Sequence, residues 1–551
     1  MNIKRIITII LLCVFVIIAS TSLSYGRTRI VVRQSDEFEK VFLNSSTDYI
    51  IKDDIDLQGR TIQIGPLSTL VFRGGSLSNG TLIGNNTRIK AKNYEILKRG
   101  YTRFRAYKKE GESDNNPPLL AKKYYQCIII EGTWNNKKCG NNWTGLLNES
   151  REDVMLPLKN YIMLHKSGRN VILPHIKAFG YESTRIPANH FIDFNNSSID
   201  YPDNLDEWED MSIKIPDNTI PYCLESGYGL LTLGSNTIIK DLSINGKSNK
   251  RQEEQLRLGV SCIIAIGNAD IVKLDNVRIA DVLGPGVAVQ ASTSNLIFEN
   301  CSFRNIGEHI IYSHQYKGFC YFHNCTFDTW DSERLSLYRQ GMDYVYKHSP
   351  PTDGKTANYD EMYGFDLQFN DCIFSNPNRI TSQGRTLGGF ITGDFPVVVK
   401  LNRCKFIGAM PVLNPGGGPA ISEKTGMNWR MIVKNCDGAP YVYPSKSNYN
   451  IITEFYDCVN IPFRVVYAKR YERCVMYYDV YEDNIENVSS LFVDEFAEPL
   501  VVKECELVDK GTSTIINHPL FHRPIKYINS RLSDTGGRVS SLESLTVNKV
   551  R

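Results

Sequence analysis

An excess of charge of either sign is missing from this sequence. Its 551 residues carry 63 Lys and Arg against 60 Asp and Glu, a formal net charge of +3. So even a balance argues against a nucleic-acid partner, which requires a concentrated basic face. Beyond the first twenty or so residues there is no apolar run of the ~20 residues that cross a bilayer, so the mature chain is expected to have no membrane span. Zinc-type His/Cys spacing is absent. Asp and Asn are scattered, so calcium has possible ligands, but no run has the regular spacing of a calcium loop; no cofactor is expected. The glycine-rich Pro415–Pro419 lacks the strand-then-helix setting of a phosphate cradle and reads as a loop. Histidine is scarce, nine in all.

What is present begins with a targeting segment. Lys4 and Arg5 precede the apolar stretch Ile6–Ala19, and Ser24 and Gly26 place small residues at the −3 and −1 positions of a cleavage site. This pattern predicts a signal peptide over residues 1–26 and export to the periplasm, the outer cell surface or the medium. Its loss would leave 551 − 26 = 525 residues, a net charge of 3 − 2 = +1 and 14 − 1 = 13 cysteines. A chain of 525 residues is too long for one ordinary core, so it divides into domains or extends as a repeat.

The cysteines mark the repeat. Two to four alternating apolar residues, a polar residue, a cysteine and a short apolar stretch recur at Leu296–Phe303, Tyr321–Phe327, Leu367–Phe374, Val399–Phe406, Met431–Gly438, Thr453–Asn460, Arg470–Met476 and Val501–Leu507. Successive cysteines lie 24, 47, 32, 32, 22, 16 and 31 residues apart. Gaps so uneven exclude helical repeats of fixed length and suit a solenoid whose coils carry loops of different size. Alternation at period two makes each unit a strand. The residue before the cysteine is Asn or Asp in five of the eight copies, types that tolerate a left-handed backbone and bond back to it. Stacked coils lie ~4.8 Å apart, wider than the ~3.8 Å between β-carbons that a disulfide requires. The eight cysteines therefore predict an internal ladder of free thiols. Cys127 and Cys139 bracket a loop in which a disulfide is one option; Cys223, Cys262 and Cys320 have no evident partner.

These repeats resemble the right-handed parallel β-helix proteins of the pectate lyase superfamily, over roughly Glu149 to the C-terminus. The resemblance implies an all-β, three-sheet solenoid with the Asn-type turns between the second and third strands of each coil. Leu158–Ile199 looks like the family's entry segment, in which an amphipathic helix caps the open end of the solenoid and protects its core and unpaired edge. Pro157 suits the first turn of a short helix. Short strands divided by Gly-Gly, Asn-Gly and Asn-Asn turns over Thr69–Ala91 predict a smaller solenoid piece upstream. The arrangement is similar to exported β-helix proteins of gut Bacteroidetes. The organisation expected is a signal peptide (1–26), a small β-solenoid piece (27–105), a linker or connecting segment (106–148) and the pectate-lyase-like β-helix (149–551). Arg88-Ile-Lys90 and Asp54-Ile-Asp56 look like polygalacturonase substrate and catalytic motifs. They lie outside the central coils where that family works, without its paired aspartates or Gly-His-Gly, and are read as structural. The Arg-x-Pro-x-x-Arg signature of pectate lyases is absent.

Tyr312-Ser313-His314 and Tyr346-Lys347-His348 repeat one motif, 346 − 312 = 34 residues apart. If each opens a coil, Ile311 and Val345 face inward, and Tyr312, Tyr346, His314 and His348 stack outward on the first sheet. Thr392 and Asp394 of the next coil would join them. The turn insertion with Arg334 and Arg339 and the loop Ser349–Tyr363 would wall this face into a groove, with Asp343 and Lys347 as further substrate contacts. Tyr and His move protons near neutral pH. The resemblance points to polysaccharide as the partner, and β-elimination on an acidic chain is the leading expectation: His314 or His348 as base, Tyr312 or Tyr346 as acid, an arginine on the uronate carboxylate. A hydrolase would need two carboxylates, for which Asp343 and Asp394, with Glu308, are the nearby set. A non-catalytic surface or glycan-binding protein is the third reading, since this fold serves many functions.

Overall fold

The computed structural model describes residues 27–107, 119–147, 153–166, 168, 170–180, 184–201, 220–221, 229–246, 261–265, 269–282, 285–289, 293–306, 310–313, 317–328, 344–348, 365–376, 389–393, 398–408, 412–415, 429–442, 451–463, 468–477, 499–508, 525–533 and 538–542. Residues 1–26, where a signal peptide is expected, lie outside them. The chain forms two compact units. One comprises Met1–Tyr101, Tyr124–Asn148 and Asn160–Ser167; the other comprises Thr102–Lys123, Glu149–Lys159 and Gly168–Arg551.

The first unit is a short parallel solenoid. Its strands run in the order Arg29–Val32, Asp48–Ile51, Thr69–Phe72, Leu77–Lys90, Ile55–Gln63, and Ile128–Trp134 pairs with Leu77–Lys90. The segment after the polar stretch 108–118 thus returns as a rung of this unit. Val32, Ile51, Phe72, Leu57, Leu82 and Ile130 belong to one buried cluster. Phe42 and Tyr49 pack in it with ring centroids 4.8 Å apart. Two buried asparagines satisfy backbone that would otherwise be stranded. Asn160 accepts from the Ile130 amide and donates to the Ile128 carbonyl, and Asn136 accepts from Ile89 and donates to Leu164. Each removes unpaired donors and acceptors from an apolar core.

The second unit is a right-handed parallel β-helix. An 18-stranded sheet holds the strands before the cysteine turn and, as far as Lys405–Gly408, those after it; a nine-stranded sheet holds those that open the coils, and a five-stranded sheet takes the strands after the turn at Cys474 and Cys505. The turn before each cysteine is uniform. Asp241, Asn276, Asn300, Asn324, Asp371, Arg403, Asn435, Asp457, Arg473, Glu504 and Asn529 all have φ between 49° and 56°. Asn and Asp reach this region at low cost, and stacking offers them each other: Asn276 Nδ2 donates to Asp241 at 2.6 Å and Asn324 Nδ2 to Asn300 at 2.8 Å. Arg403 and Arg473 have no short amide to offer. Each instead forks onto the aspartate one coil back, Asp371 or Asp457, through two hydrogen bonds.

Immediately after this turn comes the thiol ladder. Cys301, Cys325, Cys372, Cys404, Cys436, Cys458, Cys474 and Cys505 are all free and buried. The sulfurs face carbonyls of the preceding coil: Cys301 lies 3.4 Å from Leu274 O, Cys404 3.3 Å from Phe369 O. Serines stand at both ends of the described column. Ser197 is in register with Leu242, and Ser530 bonds to Val502 O and Ile528 O while accepting from the Cys505 amide. Bonding within the ladder pushes the Cys458 and Cys474 thiols up to about 12, Cys436 and Cys458 respectively being the main cause. Cys127 and Cys139 are free thiols as well.

Beside the sulfurs run aromatic stacks. Phe298, Phe322 and Phe369 lie parallel at 4.6 and 4.8 Å, and Phe327, Phe374 and Phe406 at 4.8 and 4.6 Å. Repetition of one residue type in register gives each ring an offset neighbour above and below. The helix Met155–Met163 places Pro157 in its first turn. Its Met155 carbonyl accepts from Thr184 Oγ1 at 3.0 Å, within the first coil. Among the described residues no helix is long and apolar enough to cross a membrane.

Candidate functional site

The Tyr-x-His motifs fall on the nine-stranded sheet, in the strands Ile311–Ser313 and Tyr344–His348. Their register differs from the one the motif spacing suggests. Ile311 pairs with Tyr346, Tyr312 with Lys347 and Ser313 with His348. The offset is therefore 347 − 312 = 35 residues, one more than the motif spacing of 34. A one-residue shift exchanges the two ladders of a strand, so Tyr312 does not stack on Tyr346, and Val345 is not the counterpart of Ile311. In this register Tyr346 and His348 share ladders with Ile311 and Ser313, both of which are fully buried. The pattern match compared side-chain types, whereas the register is set by which positions enter the core.

The column that results is Ala288, Tyr312, Lys347, Thr392 and Asn414 across successive coils. Tyr312 is half-buried. Lys347 thus takes the place expected for Tyr346, and Thr392 shares the column with Tyr312 as expected. His314, Arg334, Arg339, Asp343 and Asp394, with Glu308, lie outside the described residues.

A second polar constellation, which the motif search passed over, occupies the outer face of the long sheet. Tyr321, Gln368 and Lys400 are in register on three successive coils, with Phe319 and Asp366 paired one ladder away. Asp366 organises them. Its Oδ2 accepts from Gln368 Nε2 at 2.6 Å, from Lys400 Nζ at 2.9 Å and from the Tyr321 hydroxyl at 3.4 Å. Its Oδ1 is buried and accepts no hydrogen bond. Burial first, and the Asp366 charge second, push the Tyr321 hydroxyl above the ordinary tyrosine range. The Phe319 and Tyr321 rings stack at 4.2 Å. Toward the turn, His323 Nδ1 lies 3.6 Å from Asp371 Oδ2. Bonding from Arg403 holds the Asp371 carboxyl below the usual carboxylate range. A signal for this group was present: Tyr321, Gln368 and Lys400 each stand four residues before a repeat cysteine.

Asp366 and Asp371 do not form a hydrolase pair. Four extended residues and the turn separate them, roughly 13 Å or more along the strand, against ~5–9.5 Å for paired glycosidase carboxylates. In the first unit, the Asp54-x-Asp56 motif has structural partners: Asp54 accepts from Ser76 Oγ, and Asp56 from the Gln58 amide and Asn79 Nδ2. Among the described residues no group of three His, Cys, Asp or Glu is placed to hold a metal ion.

One family model agrees with the architecture. Residues 176–344 match the family model described as "Right handed beta helix region". No curated protein sequence matches the chain. Among solved structures, the mannuronan C-5 epimerase AlgE4 A-module of Azotobacter vinelandii is similar at 11% identity and a TM-score of 0.35, over 71% of this chain and 95% of that one. The tailspike protein gp49 of Acinetobacter baumannii bacteriophage Fri1, a capsular polysaccharide depolymerase, is similar at 12% identity and a TM-score of 0.35, over 73% of this chain and 64% of that one. Its parallel ladders, its left-handed Asn-type turns and the matched region together make this chain a right-handed parallel β-helix protein.

Proposed function

We propose that the chain is an exported carbohydrate-active protein that cleaves an acidic polysaccharide by β-elimination. The observation that carries this reading is the register column Tyr312–Lys347–Thr392 on the sheet that opens each coil. Adjacent members lie ~4.8 Å apart, close enough to engage one sugar unit together. In the reaction a base removes the proton on the carbon bearing the uronate carboxylate. The electron pair forms the new carbon–carbon double bond, the glycosidic C–O bond breaks, and an acid protonates the departing oxygen. Lys347 supplies the positive charge that favours the carboxylate and the carbanion beside it. Tyr312 is the proton donor to the leaving oxygen. His314, two residues past Tyr312, is the candidate base, since His348 is in register with the buried Ser313 rather than with the column; Arg334, Arg339, Asp343 and Asp394 are further substrate contacts. The test is to incubate the purified chain with a panel of uronate polysaccharides and follow absorbance of the unsaturated product. No unsaturated product from any member would refute the elimination. N-terminal sequencing of the exported protein checks cleavage after Gly26.

A further inference from the structure

We infer that the outer face of the long sheet around Phe319, Tyr321, Asp366, Gln368 and Lys400 is a separate glycan-binding surface for uncharged sugar units. It does not depend on the elimination chemistry proposed above and lies on a different sheet. Three observations support it. The half-buried Phe319 and Tyr321 rings stack face to face at 4.2 Å, giving a braced aromatic pair whose uncovered face and edges offer C–H and π contacts to a sugar ring. Around that pair stand an amide, a phenol, an ammonium and a carboxylate, all within one hydrogen-bonded group. The carboxylate is unevenly used: Asp366 Oδ2 takes three donors, whereas the buried Oδ1 takes none. An unmet acceptor of that kind is costly, and a small rotation of the carboxylate would offer it to a ligand hydroxyl.

Charge selects the ligand class. Lys400 is paired with Asp366, and Arg403 with Asp371. An anionic chain would have to break these pairs, whereas a neutral sugar needs only the hydrogen-bonding groups and the aromatic pair. Rungs on successive coils recur at ~4.8 Å, about the length of one sugar unit, so a neutral glycan would run along the solenoid axis across these three coils.

The test uses the full chain in native gels cast with one polysaccharide at a time: a β-1,3-glucan, a β-1,4-glucan, neutral xylan, mannan, arabinan or galactan, with polygalacturonate as the acidic comparison. Retardation by at least one neutral glycan is expected. Phe319→Ala and Gln368→Ala should each weaken it about tenfold with unchanged far-UV circular dichroism, and Tyr312→Phe should leave it intact. Should Phe319→Ala unfold the chain, Gln368→Ala and Lys400→Met decide. No retardation by any neutral glycan, retardation by polygalacturonate alone, or retardation that survives these substitutions would overturn the assignment.

Discussion

The amide of Cys404 points at the sulfur of Cys436, 3.3 Å away on the next coil, and the Cys404 sulfur in turn reaches back to the Phe369 carbonyl. Each thiol thus serves two neighbouring coils while remaining a small apolar side chain.

The ladder is therefore chemically silent in the folded protein. Thiol labelling under denaturing, non-reducing conditions should modify Cys301, Cys325, Cys372, Cys404, Cys436, Cys458, Cys474 and Cys505, and native labelling should modify few of them. Disulfides between ladder neighbours, found by mass spectrometry, would contradict the register described above.

Ser530 shows that a hydroxyl is accepted in this column. Cys505→Ser should accordingly cost less than about 1.5 kcal/mol, the scale of one ordinary hydrogen bond. Cys404→Asp places a charge in the same column without a counter-ion and should cost more than about 3 kcal/mol. Denaturant unfolding of the two variants compares them directly; equal losses would show that polarity is not what the column discriminates.

The aromatic stack carries a different load. Phe369 is fully buried between Phe322 on one side and Phe374 on its own coil. Phe369→Ala should lose about 3–5 kcal/mol, read from the shift of the urea midpoint at unchanged slope.

Arg403 and Asp371 set an acid-sensitive contact. The carboxyl is held below its unfolded value by bonding from Arg403, so the stabilisation is complete above the ordinary carboxylate range near pH 4 and is lost as pH falls through the lowered folded value. Arg403→Ala should lower the melting temperature at pH 7 by only a small amount, because solvent screens a pair this exposed. The difference from wild type should shrink toward pH 2. A penalty that grew on acidification would have the wrong sign for this pair.

At the proposed elimination site, Tyr312→Phe should reduce turnover of a cleaved uronate polysaccharide by at least about 100-fold, the usual scale for loss of a general acid. Lys347→Ala should raise KM and lower kcat together. His314→Ala tests the candidate base, and His348→Ala, at the position in register with the buried Ser313, is the comparison. Full activity in both histidine variants would remove histidine from the mechanism, and unfolding of both would mark the histidines as structural.

The sequence made the coil legible because alternation, a turn residue and a cysteine coincide eight times, and each follows from a backbone requirement rather than from chemistry. Ile311 is buried as its pattern implies. The pairing of one coil with the next was less legible. Two tyrosine-x-histidine motifs suggested an offset of 34, but the strands pair at 35. The Asp366 group was hidden for a related reason: Tyr321, Gln368 and Lys400 share no residue type, and only their common distance from a cysteine brings them into one column.

The left-handed turn has a consequence for how such a chain can change. At that corner the same two residues, the left-handed one and the cysteine, join the strands Thr293–Glu299 and Ser302–Ile306, Lys317–His323 and Thr326–Asp328, and Phe365–Asn370 and Ile373–Asn376, while the spacing between successive cysteines ranges from 16 to 47 residues. All variation in coil length is therefore confined to the other corners. The turn works as a fixed spine along which every coil is pinned, leaving the opposite margin open to insertion. New loops, and any recognition they bring, can accumulate there without displacing a single rung of the ladder.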